Sequence, residues 1–91
     1  MAVAFVFNGV GVTQEQYEAV VSQVSPEGPG TAPGVLFHVA GPMPDGFRVI
    51  EVWETEEAMM QFFQEKLGPV LQSANISVQP DVFPVHAMTQ L

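Results

Sequence analysis

The segment from Gly46 to Glu57 constrains the fold more than any other part of the chain, because an almost continuously apolar stretch runs straight into a helix start. Its branched and aromatic residues predict a strand over 47–53. Thr55 is a typical N-cap residue, and the two glutamates that follow it interact favourably with the positive end of a helix dipole. The segment therefore predicts a strand that ends at Trp53, followed at once by a helix.

Turn and cap signals divide the first half of the chain into three further elements and a loop. Residues 2–8 predict a strand, and Thr13 and Gln16 have the spacing of a capping box at the start of a helix. The proline- and glycine-rich stretch 25–33 predicts a loop. Residues 34–40 predict a second strand, which an Asp-Gly turn joins to the next strand in a hairpin.

Prolines interrupt the second half of the chain. The second helix is expected to break where Gly68 precedes Pro69, since a proline clashes with the carbonyl four residues earlier. Asn75 can close the short helical piece that follows. The last extended segments are predicted at 76–78 and 82–88, and Pro80 and Pro84 confine them to a sheet edge or to irregular pairing.

The resulting order is strand, helix, strand, strand, helix, strand, which is the split-βαβ pattern. We therefore predict an α+β fold of the ferredoxin-like βαββαβ type with a four-stranded antiparallel sheet. At 91 residues the chain supports one domain, over residues 1–91.

Apolar residues occupy both faces of the predicted strands. In the third strand, Val49 and Trp53 lie on one face, and Ile50 and Val52 lie on the other. Two helices cover one face of such a sheet, and the other face of a monomer is usually polar. The chain is also 47% hydrophobic and only 13% charged, against about a quarter charged in an average soluble domain. We therefore expect a homodimer in which a second subunit covers the open sheet face, giving a dimeric α+β barrel.

Composition argues against several classes of partner and cofactor. The chain has no cysteine and two histidines, so it can form neither disulfides nor thiolate metal sites. Its formal net charge of −8 opposes binding to nucleic acid. No apolar run approaches the roughly 20 residues of a membrane-spanning helix. We expect an acidic, cytoplasmic protein without nucleic-acid or membrane partners.

The order of elements and the stretch Val-Trp-Glu-Thr-Glu-Glu at 52–57 resemble the dimeric α+β barrel superfamily, in particular its antibiotic-biosynthesis-monooxygenase-like (ABM-like) branch. The resemblance spans residues 2–88. Four short motifs are also similar to those of a group of small bacterial proteins. These motifs are Leu-Phe-His-Val-Ala-Gly at 36–41, Asp-Gly-x-Arg-Val at 45–49, Val-Trp-Glu at 52–54 and Pro-Val-His at 84–86.

Some members of the wider family oxidise polycyclic aromatic substrates with O2 and without metal or flavin. The resemblance therefore implies a cofactor-independent, monooxygenase-like enzyme. Haem-degrading members use an Asn on the first strand, a Trp on the third strand and a His on the second helix. Asn8 and Trp53 match the first two by position, but no histidine lies between Ala58 and Ala74. We therefore expect no haem-degrading activity and no cofactor.

His38, His86 and Asn8 are the candidate catalytic residues. His38 lies in the middle of the second predicted strand and is the best placed general base, and His86 could share a site with it. Each also has a structural interpretation. A lone histidine on an apolar face is often a hydrogen-bonded core or interface residue, and Asn8 could bond the backbone of the turn that follows it.

Five further residues are expected to line a pocket or bind the substrate. Trp53 lies at a strand end beside this pocket, or belongs to the core alone. Glu51 shares its face and could act as an acid or base, unless that face is solvated. Tyr17 and Phe63 are expected to face the sheet from the two helices. Arg48 could orient an anionic substrate, or form an ion pair with one of the ten acidic residues.

Two classes of function remain open at this point. In the first, the chain is an enzyme whose cavity holds a flat, largely apolar metabolite, which a few polar groups deprotonate. The resulting carbanion would react with O2, cyclise or rearrange. In the second, the cavity binds or delivers a small molecule, or the dimer is an interaction module, and the histidines are structural.

Overall fold

Four strands and three helices make up the computed structural model of the chain, which describes residues 1–89. The strands are β1 Val3–Val10, β2 Val35–Met43, β3 Gly46–Trp53 and β4 Pro80–Pro84; the helices are α1 Gln14–Val24, α2 Glu56–Phe62 and α3 Gly68–Ser73, with a π-helical turn at Phe63–Leu67 between the last two. This α+β architecture confirms the predicted ferredoxin-like fold. No helix within residues 1–89 is both long and apolar enough to cross a bilayer.

The four strands form one antiparallel sheet in the order β2-β3-β1-β4. As predicted, β4 lies at an edge, where its two prolines are tolerated because it pairs with β1 alone. β4 nevertheless ends at Pro84, so the predicted strand over 82–88 is wrong in its bounds. Residues 76–79 form no strand, so the strand predicted at 76–78 is wrong. β2, at the opposite edge, passes through Pro42 and ends later than predicted.

The start of α1 shows the predicted capping box. The Thr13 hydroxyl accepts a hydrogen bond from the backbone N–H of Gln16 at 3.1 Å. The Gln16 side-chain oxygen in turn accepts from the backbone N–H of Thr13 at 2.9 Å. Two of the unpaired N–H groups at the helix start are thereby satisfied, which fixes where α1 begins and where its side chains point.

The second helical region does not break at Pro69, so that prediction is wrong. The backbone stays helical through Gly68, and the N–H of Gly68 donates to the carbonyl of Phe63, five residues earlier. This wider π-helical turn lies directly before the proline and changes the spacing of the carbonyls that its ring would otherwise meet. Asn75 closes the region in a left-handed conformation with φ 58°, as predicted for a C-terminal cap.

The two faces of the sheet differ in their cover. On the face under the helices, Phe5, Phe7, Trp53 and Met59 form the buried core cluster. On the opposite face, large apolar side chains remain about half exposed. These are Phe37, Val39 and Phe83, at 47%, 46% and 52% of their full exposure. We call these three residues the open-face patch.

Candidate active site

A continuous chain of hydrogen bonds links four side chains on the helix-covered face of the sheet. The Tyr17 hydroxyl lies 2.8 Å from Nε2 of His38. Nδ1 of His38 lies 2.8 Å from Oε2 of Glu51. The indole N–H of Trp53 donates to Oε1 of Glu51 at 3.1 Å. Hydroxyl, imidazole, carboxylate and indole therefore form one connected network, with both nitrogens of the imidazole engaged.

Local structure places each member of this network. His38 on β2 lies directly opposite Glu51 on β3 in the antiparallel register, so their side chains share one face. Trp53 follows Glu51 by two residues and therefore points the same way. Tyr17 comes from the first turns of α1 and packs on Phe47 with 4.8 Å between ring centroids. The network thus joins both strands of a hairpin to the helix that covers them.

Burial sets the electrostatics of the network. Glu51 is the buried charged residue within the described part of the chain, with 8% exposure, and it accepts from two donors. The pKa of Tyr17 is raised above its ordinary value, first by burial of the hydroxyl and then by the negative charges of Glu51 and Glu18. The Tyr17 hydroxyl consequently keeps its proton at neutral pH and can act as a donor.

These partners define which ring nitrogen of a neutral His38 carries the proton. The indole of Trp53 can only donate, which fits a Glu51 carboxylate that accepts at both oxygens. Nδ1 of His38 is then the donor to Glu51, and Nε2 is an acceptor. The Tyr17 hydroxyl donates to Nε2. In this state the imidazole is oriented as a base by its carboxylate partner.

A cavity of about 110 Å³ lies between the sheet and the helices and reaches this network. Its polar side chains are mainly those of Tyr17, His38 and Glu51, and most of its remaining wall is apolar. The apolar wall includes Phe7, Phe47 and Val49 from the sheet, Val20, Val21 and Val24 from α1, and Phe62, Leu67, Leu71, Ile76 and Val78 from the second helical region and the segment after it. A few polar groups in an apolar concavity are typical of small-molecule sites.

The loop before β2 covers His38. Pro29 and Gly30 of this loop line the cavity. Gly30 adopts a positive φ of 75°, and a Cβ atom built there would lie 2.7 Å from Cβ of His38. Glycine is therefore required both by the backbone conformation and by the close approach to His38. The sequence predicts the loop but not this contact, since only the clustering of glycines and prolines marks the segment.

The structure brings together three of the predicted site residues, His38, Glu51 and Tyr17. Trp53 is fully buried and packs on Phe62, with 5.4 Å between ring centroids, so it is a core residue that reaches the site through Glu51. Phe63 packs against the core cluster and lines a second, more open groove beside α3 instead of the cavity.

Asn8 and Arg48 lie on the opposite face of the sheet from the cavity. Arg48 donates from Nε to Oδ1 of Asn8 at 2.7 Å. The amide of Asn8 is also 3.5 Å from Oδ2 of Asp81 on β4. Neither residue therefore reaches a molecule held beside His38, and Arg48 bonds to the neutral amide of Asn8 instead of forming the expected ion pair. Period-two alternation along the sequence already indicates this face, since Asn8 follows Phe7 by one residue and Arg48 precedes Val49 by one.

His86 is exposed and follows β4, at the edge of the sheet opposite to β2 and His38. It does not line the cavity. The structure therefore does not bring the two histidines into one site. Within residues 1–89, no three His, Asp or Glu side chains are grouped so that they could hold a metal ion.

Comparisons with known proteins identify the fold. The chain is similar to the cofactor-independent oxygenase SnoaB from Streptomyces nogalater, with a TM-score of 0.66 and 19% identity over 96% of this chain and 95% of that one. It is also similar to a proposed antibiotic biosynthesis monooxygenase from Chloroflexus aurantiacus, with a TM-score of 0.63 and 18% identity over 98% of each chain. No family model and no curated protein matches the sequence. The chain therefore has the fold of the ABM-like proteins.

Proposed function

We propose that this protein is a small enzyme that removes a proton from a small, largely apolar molecule held in the cavity. One observation carries the proposal: a hydroxyl–imidazole–carboxylate chain with links of 2.8 Å and 2.8 Å ends at an apolar cavity. In this proposal His38 is the proton acceptor, and Glu51 orients its ring and stabilises the imidazolium that forms.

We further infer a monooxygenase-like reaction of the resulting anion with O2. In such a reaction a methylene group of the substrate becomes a carbonyl. The carbon loses two hydrogens and gains one oxygen atom of O2, and the other oxygen atom leaves as water. The fold shared with SnoaB, which is described as a cofactor-independent oxygenase, supports this reaction class. The apolar wall supports it as well, because a dry site strengthens the interaction between the anion and the imidazolium.

Oxygen consumption tests the proposal. Purified protein is assayed with a panel of small hydroxylated aromatic compounds and enolisable ketones. The His38→Gln and His86→Gln variants are assayed alongside it. Glutamine at position 38 has an amide that can hydrogen-bond to Glu51 and Tyr17 but cannot accept the proton. We expect the activity to fall by about 100-fold or more in His38→Gln. The matched His86→Gln variant should retain full activity, because His86 lies outside the cavity. Equal activity in both variants would contradict the proposal.

A binding protein is the second candidate function, and one observation favours it. Both ring nitrogens of His38 are already hydrogen-bonded within the protein, as expected for a structural histidine. Native mass spectrometry of the freshly purified protein distinguishes the two functions. A small molecule that is retained unchanged, together with no oxygen consumption for that molecule, would favour binding or delivery.

We also infer that the functional unit is a homodimer joined through the open-face patch. Phe37, Val39 and Phe83 lie on one face of a sheet whose other face is covered by helices, and each is about half exposed. A second copy related by a two-fold axis would bury this apolar area in both subunits at once.

A further inference from the structure

The base of the proposed site is not open to a ligand in the resting structure. Nδ1 of His38 is bonded to Glu51 and Nε2 is bonded to the Tyr17 hydroxyl, each at 2.8 Å. Imidazole has no third nitrogen with which to contact a substrate. A proton that leaves a ligand must therefore reach Nε2 through the Tyr17 oxygen, or Tyr17 must first move away.

The Tyr17 hydroxyl has the hydrogen-bonding capacity for a direct contact with the ligand. It donates its single proton to Nε2, which leaves acceptor capacity on its oxygen. Tyr17 also lines the cavity. At this end of the cavity, the network consequently presents an acceptor to the ligand, since the N–H of Trp53 and the Nδ1–H of His38 are both used by Glu51.

We propose that Tyr17 is the catalytic residue that contacts the ligand, that it relays the ligand's proton to His38, and that the ligand is a neutral molecule bearing an O–H donor. This inference rests on the proposed function of the cavity. In the transfer, the ligand O–H bond breaks and its proton binds the Tyr17 oxygen. The original Tyr17 proton moves to Nε2 of His38 at the same time. The products are a ligand anion and a His38 imidazolium paired with the Glu51 carboxylate.

Charge supports a neutral ligand. Glu51 is the ionisable acid on the cavity wall, and no Lys or Arg belongs to that wall within residues 1–89. Arg48 is bonded to Asn8 on the opposite face of the sheet. A ligand that enters as a carboxylate would be desolvated next to Glu51 without a cationic partner, which is strongly unfavourable. A ligand whose charge appears only after proton transfer avoids this cost, because the imidazolium forms in the same step.

The volume of the cavity indicates a ligand with a single aromatic ring. The volume of about 110 Å³ is of the same order as an engineered apolar cavity of about 150 Å³ that binds benzene. Phenol and anisole are therefore suitable probes. They have similar ring size and apolar area, but only phenol can donate a hydrogen bond. At neutral pH both are uncharged.

The test measures the affinity of phenol and anisole for the unaltered protein and for Tyr17→Phe, by ligand-observed NMR with far-UV circular dichroism as the folding control. The variant removes only the hydroxyl oxygen of Tyr17 and leaves the ring that packs on Phe47. We expect Tyr17→Phe to weaken phenol binding by about fivefold or more, as for the loss of one buried hydrogen bond. Anisole binding should change by less than about twofold, because its contacts are apolar.

The outcomes separate this inference from the proposed function. Equal phenol affinity in both proteins, or tighter binding to the variant, would overturn the relay while the cavity remained a binding site. Absence of binding by both probes to the unaltered protein would overturn the cavity site itself, and the relay with it. Selective loss of phenol binding in the variant, with anisole binding retained, would support the relay.

Discussion

His38 on β2 and Glu51 on β3 face each other directly across the hairpin, and Nδ1 of the imidazole lies 2.8 Å from Oε2 of the carboxylate. The pair is held by the antiparallel register and not by flexible loops. Their side chains are 13% and 11% exposed, so water competes little for the contact. A base oriented in this way by a fixed strand pairing needs little rearrangement before it accepts a proton.

The ionisation of Tyr17 reports on this environment. Its pKa is raised above 10.0, first by burial and then by Glu51 and Glu18. Because the folded-state pKa is raised, the associated stability is fully present below the unfolded value and is lost as the pH rises through the folded-state pKa. The chain has a single tyrosine, so near-ultraviolet absorbance of tyrosinate measures this one group. We expect a transition above pH 10.0 that moves to lower pH in Glu18→Gln. An unshifted transition in the unaltered protein would contradict the burial of the hydroxyl.

Removing the charge of Glu51 should destabilise the fold. The carboxylate accepts from Trp53 and His38 at once, whereas the amide of Glu51→Gln offers one acceptor oxygen. We expect the free energy of unfolding in urea to fall by about 1–3 kcal/mol. The matched control is Glu54→Gln, three residues later and exposed, which should leave the midpoint of unfolding unchanged. Equal effects of the two substitutions would show that Glu51 is not engaged as described.

Substitutions of Gly30 and Gly11 test the contact between the loop and His38, with Gly11 as the matched control. Both have a positive φ, 75° and 79°, but an added Cβ meets His38 only at position 30 and nothing within 4 Å at position 11. Gly11→Ala should therefore cost about 1–2 kcal/mol from backbone conformation alone. Gly30→Ala should cost more and should also change the ring resonances of His38. If thermal unfolding shows the same loss for both variants, the loop does not press on His38.

The sequence was sufficient to predict the order of elements, the capping box, the edge position of the last strand and the faces of β3. These features follow from local chemistry and from period-two alternation. It could not predict that Pro69 would be accommodated, since the wider turn at Phe63–Leu67 depends on which carbonyl the N–H of Gly68 meets. The sequence indicated His38, Glu51 and Tyr17 as individual candidates for the site, but not the hydrogen bonds that join them.

The contacts within the site were beyond prediction for a different reason. That His38 and Glu51 are opposite each other depends on the hairpin register, which includes an irregularity between Val35 and Phe37. That irregularity shifts the alternation, so the face of His38 could not be counted from the start of its strand. The contact of Tyr17 with Nε2 depends further on how α1 packs on the sheet.

Dimer formation should depend on the open-face patch. We expect light scattering after size exclusion to show a dimer for the unaltered protein and a monomer for Val39→Glu, because a charge would be buried without a partner. Val82→Glu is the matched control. Val82 is 45% exposed, similar to Val39, but pairs with Phe5 and so lies on the other face of the sheet. A dimer that tolerates Val39→Glu, or an unaltered protein that is monomeric, would contradict the interface.

The ¹⁵N resonances of the His38 ring report which of its nitrogens carries the proton, and they therefore test the hydrogen bonds to Tyr17 and Glu51. The protein has two histidines, so a His86→Gln variant assigns the remaining signals to His38. We expect Nδ1 to be protonated and Nε2 to be a bare acceptor, because Nδ1 is bonded to the Glu51 carboxylate and Nε2 to the Tyr17 hydroxyl. Phenol should shift the Nε2 signal by altering the bond from Tyr17. A proton on Nε2 with a bare Nδ1, or ring signals that do not respond to bound phenol, would contradict the account.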